Sequence, residues 1–120
     1  MKHKILIVED NLVNMDIFNE IFEDDYELKT ALNGLEALEV INEFNPDLIL
    51  LDVMMPNMDG YEVCKRIRAQ ENYKDVKIVM VSARAMKSER EKGIASGADF
   101  YVTKPFDEDE LLDIVTKQLA

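Results

Sequence analysis

Short runs of nearly continuous apolar residues alternate along this chain with stretches in which apolar side chains recur every three or four positions. Lys4–Glu9 (KILIVE), Asp47–Asp52 (DLILLD) and Val76–Ser82 (VKIVMVS) are of the first kind, as strands covered on both faces should be. Phe100–Thr103 (FYVT) is a shorter example, and Tyr26–Ala31 (YELKTA) alternates apolar with polar residues, which suits a half-exposed edge strand. Helical spacing fills the gaps. Met15, Phe18 and Phe22 form a stripe over Asn11–Asp24, with Ile17 and Ile21 beside it. Ala37, Leu38, Ile41 and Phe44 do the same over Gly34–Phe44, and Pro46 stops that helix. Val63, Cys64 and Ile67 mark a third helix over Gly60–Ala69. The last one opens on Asp107-Glu108-Asp109-Glu110, a capping-box pattern with acids at the positive end of the helix dipole, and buries Leu111, Leu112, Val115 and Leu119. The fourth, about Ala85–Ser96, differs: beyond Met86 and Ile94 it has little to bury, so it is expected to be among the least stable elements and free to shift, or else a plain solvated surface helix.

Five strands alternating with five helices predict an α/β fold built on a parallel sheet. With Tyr26–Ala31 at an edge, the doubly wound, flavodoxin-like order 2-1-3-4-5 with right-handed crossovers follows. Such sheets place their sites beyond the carboxyl ends of the strands. There the chain carries Glu9-Asp10, Asp52, Ser82 and Lys104, so three carboxylates, a hydroxyl and an ammonium are expected to converge. Clustered carboxylates repel one another and lose hydration. A hard divalent cation relieves both costs, and Mg²⁺ suits a site with few carboxylates, retained waters and room for phosphate. A carboxylate can also attack phosphorus to give an acyl phosphate, with neighbouring cations neutralising the transferring group. Asp52, ending the central strand, is the expected nucleophile; Asp10 is the direct metal ligand, with Glu9 acting directly or through water. Lys104 pairs with the phosphoryl oxygens and the Ser82 hydroxyl bonds one of them. Taken singly, each residue has a plainer reading: a solvated acidic turn, a helix cap, a surface lysine. Their common place at strand ends is what favours the site.

Composition narrows the partners. All 120 residues are expected to form one domain, large enough for a core without disulfides or a structural metal. With 25 acids against 14 bases the net charge is −11, which argues against direct nucleic-acid binding and leaves a cation or basic protein surfaces as partners. No apolar run approaches a membrane span, and the start Met1-Lys2-His3-Lys4 lacks the features of a signal peptide. The single cysteine, Cys64, fits a reducing cytoplasm and reads as a small buried residue. The seven methionines read as core and loop filling.

Four motifs then carry a resemblance: ILIVEDN at Ile5–Asn11, DLILLDVMMPNMDG at Asp47–Gly60, VSA at Val81–Ala83 and GADFYVTKPF at Gly97–Phe106. In that order and over all five predicted strands, the chain resembles the receiver domains of two-component response regulators. The resemblance implies that Asp52 is phosphorylated by a histidine kinase or a histidine phosphotransfer protein, and that Glu9 and Asp10 hold Mg²⁺ together with Asp52 and the Met54 backbone carbonyl. It makes Ser82 the switch hydroxyl, Lys104 the phosphate-binding lysine before a cis bond to Pro105, and Tyr101 the aromatic switch whose ring turns inward on phosphorylation. For Tyr101, a merely half-buried ring on the last strand is the alternative. Pro56 and Gly60 match the loop after the acceptor, and Met54 and Arg84 occupy positions that tune access of hydrolytic water. Glu at position 9 and Ser at position 82 are accepted variants of the commoner Asp and Thr. His3, before the first strand, is not a relay histidine.

The resemblance further implies a signalling switch that catalyses only its own phosphorylation and dephosphorylation and changes its affinity for a downstream protein, with a phosphorylation-dependent dimer among its forms. A haloacid-dehalogenase-like phosphatase would need a second acid two residues after Asp52, where Met54 stands. A flavodoxin-like electron carrier would want a Ser/Thr/Gly phosphate loop in place of Glu9-Asp10-Asn11. A stand-alone receiver is expected, the alternative being a receiver cut from a hybrid kinase or longer regulator.

Overall fold

The computed structural model describes residues 2–120, so Met1, with which the N-terminal reading begins, lies outside the described residues. Among the described residues, five strands and five α-helices alternate. They are β1 (Lys4–Val8), α1 (Leu12–Phe22), β2 (Glu27–Ala31), α2 (Gly34–Phe44), β3 (Leu48–Asp52), α3 (Gly60–Arg68), β4 (Lys77–Ser82), α4 (Lys87–Ala95), β5 (Phe100–Thr103) and α5 (Glu108–Gln118). A short 3₁₀ turn, Glu71–Tyr73, follows α3. The sheet has the order β2-β1-β3-β4-β5, and every pairing is parallel, as the alternation of runs predicts.

Why the strands read as continuous apolar runs is visible in where their side chains go. Ile5 and Ile7 of β1, Leu48 and Leu50 of β3, and Val79 and Val81 of β4 face α1 and α5, packing on Met15, Phe18, Phe22, Leu111 and Val115. Leu6, Val8, Ile49, Leu51, Ile78 and Met80 face the other way, onto Ala37, Ile41, Val63, Cys64 and Ile67. Both faces are covered, so neither alternate set can be polar. The edge strand β2 keeps the alternation its sequence shows. Of the two residues flanking the α1 stripe, Ile21 is partly buried and Ile17 stays at the surface.

Side-chain caps set most helix starts. Asn11 accepts from the Val13 and Asn14 amides, Asn33 from Glu36, Asp59 from Glu62, and Asp107 from Asp109 and Glu110. Asn11 is thus the cap of α1 and not its first turn. At the end of α2, Asn45 turns left-handed (φ 52°) ahead of Pro46.

The largest difference from the sequence reading is at α4, which begins at Lys87 and not near Ala85. The backbone of Arg84 is held on both sides, its N–H by Ser82 Oγ (3.1 Å) and its carbonyl by the Tyr101 hydroxyl (2.9 Å), which keeps residues 83–86 out of the helix. α4 is also as weakly seated as expected. Gly93 is its one buried residue, while Met86 and Ile94 are 71% and 51% exposed, so even its apolar side chains do not serve the core.

Candidate functional site

Four strand ends meet at the carboxyl edge of the sheet. Glu9 follows β1 and extends its pairing through a bond from its amide to the Ala31 carbonyl. Asp52 ends β3 and Ser82 ends β4. Lys104 follows β5, its amide bonded to the Ser82 carbonyl at 2.7 Å and its bond to Pro105 cis, as the resemblance implies. The central position of β1 and β3 in the sheet order is what brings the two acidic ends side by side.

Glu9, Asp10 and Asp52 each offer a carboxylate oxygen within 4.8 Å of the others. Glu9 is fully buried and Asp52 nearly so, while Asp10 faces solvent. Lys104 Nζ stands 3.4 Å from Glu9 Oε1 and 3.6 Å from Asp52 Oδ1, bridging the buried pair. The other Glu9 oxygen accepts from the Asn11 amide. One ammonium does not balance three carboxylates. Burial, then the neighbouring Asp52, push the Glu9 carboxyl above its ordinary value, against the pull of the Asn11 amide and Lys104. Burial, then Glu9, raise Asp10 as well. A cluster of hard oxygen donors with excess negative charge, open to solvent on the Asp10 side, fits a divalent cation of the Mg²⁺ type.

Two residues shape the loop after Asp52. Asn57 takes a left-handed conformation (φ 71°), a turn residue that the sequence reading did not single out although Pro-Asn before Asp-Gly signals one. Gly60 packs directly on the end of β3: a Cβ there would lie 2.7 Å from the Asp52 carbonyl oxygen and from Val53 Cα. Close approach, more than conformational freedom, is what requires glycine. Met54, two residues after Asp52, is half exposed.

Tyr101 lies inward, only 5% exposed, with its hydroxyl on the Arg84 carbonyl. Ser82, fully buried, keeps its oxygen on the Arg84 amide. Ser82 and Tyr101 therefore hold the backbone of Arg84 on either side of its Cα. Sequence reasoning missed what lies behind them. The Tyr61 hydroxyl donates to Glu89 Oε2 at 2.6 Å, and Arg84 Nη1 approaches the same oxygen at 3.6 Å. Residues 28 apart, on different helices, leave no periodic signal. A pocket of about 480 Å³ opens beside Lys104, between α1 and the loop leading into α5, lined by Asn14, Ile17, Phe18, Pro105 and Phe106. Among the described residues no helix is long and apolar enough to cross a membrane.

Comparison with known proteins agrees with this geometry. Residues 5–116 match the family described as the response regulator receiver domain. The chain is 34% identical over 121 residues to the polar-differentiation response regulator DivK of Brucella anthropi, covering 100% of this chain and 98% of that protein. Among solved structures, the chemotaxis protein CheY4 of Vibrio cholerae superposes with a TM-score of 0.94 at 32% identity, over 99% of this chain and 100% of that one. The receiver domain of a sensor histidine kinase from Pseudomonas aeruginosa, solved with a magnesium ion coordinated in its active-site cleft, gives 0.90 at 32% identity, over 99% and 98%.

Proposed function

The chain belongs to the response regulator receiver family, whose members are signalling switches, and on that premise we propose that Asp52 accepts a phosphoryl group from a phosphohistidine in a Mg²⁺-dependent reaction. The observation that supports it most is the pairing of three clustered carboxylates with Lys104 around a nearly buried Asp52. Glu9 and Asp10 would hold the metal with Asp52 and the Met54 carbonyl, and the metal, when bound, supplies positive charge for the equatorial phosphoryl oxygens. The rest is work for this chain's own groups. An Asp52 carboxylate oxygen forms the new P–O bond as the P–N bond to the donor imidazole breaks, the nitrogen keeping the electron pair. Lys104 turns from its carboxylate partners towards the new charge, and Ser82 donates its hydroxyl proton to a phosphoryl oxygen. Hydrolysis of the acyl phosphate resets the switch, with Met54 and Arg84 beside the path of the water.

The phosphodonor, a histidine kinase or histidine phosphotransfer protein, would dock over the N-terminal end of α1. Leu12 and Val13 are two-thirds exposed there, next to the apolar pocket that borders Lys104. The output is a change in affinity for a downstream protein at the surface formed by α4, β5 and α5, with a phosphorylation-dependent dimer as one form of it. Cytoplasmic placement fits a reduced, buried Cys64. The same chemistry serves a receiver that stands alone and one carried by a sensor kinase; both kinds occur among the similar structures.

Incubation with a small phosphodonor, with and without Mg²⁺, followed by intact-mass measurement, tests the chemistry. A single added phosphoryl group that requires the metal is expected. Phosphorylation that survives Asp52→Asn would sink the assignment. Lys104→Ala should permit slower phosphorylation while abolishing its effect on partner binding.

A further inference from the structure

The inward position of Tyr101 depends on where α4 sits. Its ring lies under Gly93, where a Cβ would come within 2.7 Å of Tyr101 Cδ2 and 3.0 Å of the Met80 sulfur. α4 therefore roofs the slot that the ring fills. Yet α4 has almost nothing of its own to hold it there, since Gly93 alone is buried and Met86 supplies no side-chain cap. Arg90 reaches Thr103 only at 3.5 Å and stands 6.0 Å from the Tyr101 ring, both on the exposed side. The close polar contacts converge instead on one residue at the start of α3. Tyr61 is 2% exposed; its hydroxyl donates to Glu89 Oε2 at 2.6 Å and lies 3.3 Å from the Glu89 carbonyl. Lys92 of the same helix places its ammonium 4.5 Å from the Tyr61 ring centre. The Glu89 oxygen that accepts the Tyr61 hydrogen bond also faces Arg84, whose backbone N–H donates to Ser82 and whose carbonyl accepts from Tyr101.

We propose that Tyr61 is a positioning residue for the switch: through Glu89 it anchors α4 over Tyr101 and so presets the inward ring before any phosphoryl group is present. This rests on the reading above, in which the inward ring belongs to the signalling state. By linkage, a contact that favours the inward state also favours phosphorylation, because the competent fraction of the protein is larger. Tyr61 lies outside the reacting atoms and acts only through that population. A phenylalanine side chain would fill nearly the same space but could not make the bond, so anchoring is separable from packing.

Hydrogen exchange of the α4 amides in unphosphorylated protein, together with the initial rate of phosphorylation by a small donor, tests this. Tyr61→Phe should leave the cooperative unfolding transition in place, speed exchange of residues 87–95 by about three- to tenfold and slow phosphorylation by about threefold. Glu89→Ala should match it, and the double variant should add nothing further. Glu89→Gln, which keeps an acceptor for the Tyr61 hydroxyl, should restore much of the slow exchange. Unchanged α4 exchange in Tyr61→Phe, or full additivity of the two single variants, overturns the proposal. Phosphorylation surviving Asp52→Asn would overturn the acceptor assignment alone, since α4 exchange is read without phosphoryl transfer.

Discussion

Replacing Glu9 by glutamine removes one of three crowded negative charges while keeping the side chain's length and an oxygen for the Asn11 amide. Ligand oxygens of the cluster lie within 4.8 Å of one another. At an effective dielectric of about 20, two unit charges at such a distance repel by ~3.5 kcal/mol. Lys104, 3.4 Å from Glu9, returns ~5 kcal/mol on the same scale. Solvent weakens the share of exposed Asp10, so the charge contributions nearly cancel and burial decides the sign. Glu9 has no exposed surface, and its pKa is displaced upward from 4.5 by burial first and by Asp52 second. Neutral glutamine should therefore stabilise the metal-free protein by about 1–2 kcal/mol, a rise of about 4–8 °C in Tm.

Thermal unfolding with a chelator and with saturating Mg²⁺ is the assay. The wild type should gain about 1.4 kcal/mol at a tenfold excess of Mg²⁺ over its Kd, and Glu9→Gln should gain much less. The pH dependence follows from the raised carboxyl: the folded state binds the proton more tightly, so stability is lost as pH rises above 4.5 through the folded value. Lowering the pH across that window should close the gap between variant and wild type. A metal-free Glu9→Gln protein that melts lower than wild type, or responds fully to Mg²⁺, would refute the reasoning.

Gly60→Ala should cost about 2 kcal/mol or more and slow phosphorylation, because the added methyl meets the Asp52 and Val53 backbone; denaturant melts and initial rates check both. Arg68→Met should lower Tm by about 10 °C. Its guanidinium serves the carbonyls of Tyr73, Lys74, Val76 and Gly97 as well as Asp99, tying α3 to the starts of β4 and β5, and calorimetry would expose a milder effect. Cys64 is buried and its thiol is pushed up to about 11, chiefly by burial. Thiol reagents at neutral pH should label it only through unfolding, so labelling faster than global unfolding would contradict its packing.

The hydrophobic pattern determined the sheet, because strands covered on both faces tolerate no polar residue and must appear as runs such as Ile5–Val8 and Leu48–Leu51. It determined the site as well, since in a doubly wound sheet the residue after each run lies at one edge. Glu9, Asp52, Ser82 and Lys104 could be read off from that rule before any distance was known. Helix ends were less legible: Asn11 and Asp107 signal caps locally, but the late start of α4 depends on Tyr101 reaching Arg84 across 17 residues. The resting place of Tyr101, and the Tyr61–Glu89 contact behind it, belong to the tertiary structure alone. They join side chains on different elements whose meeting is set by packing against the sheet, and no local period in the chain records it.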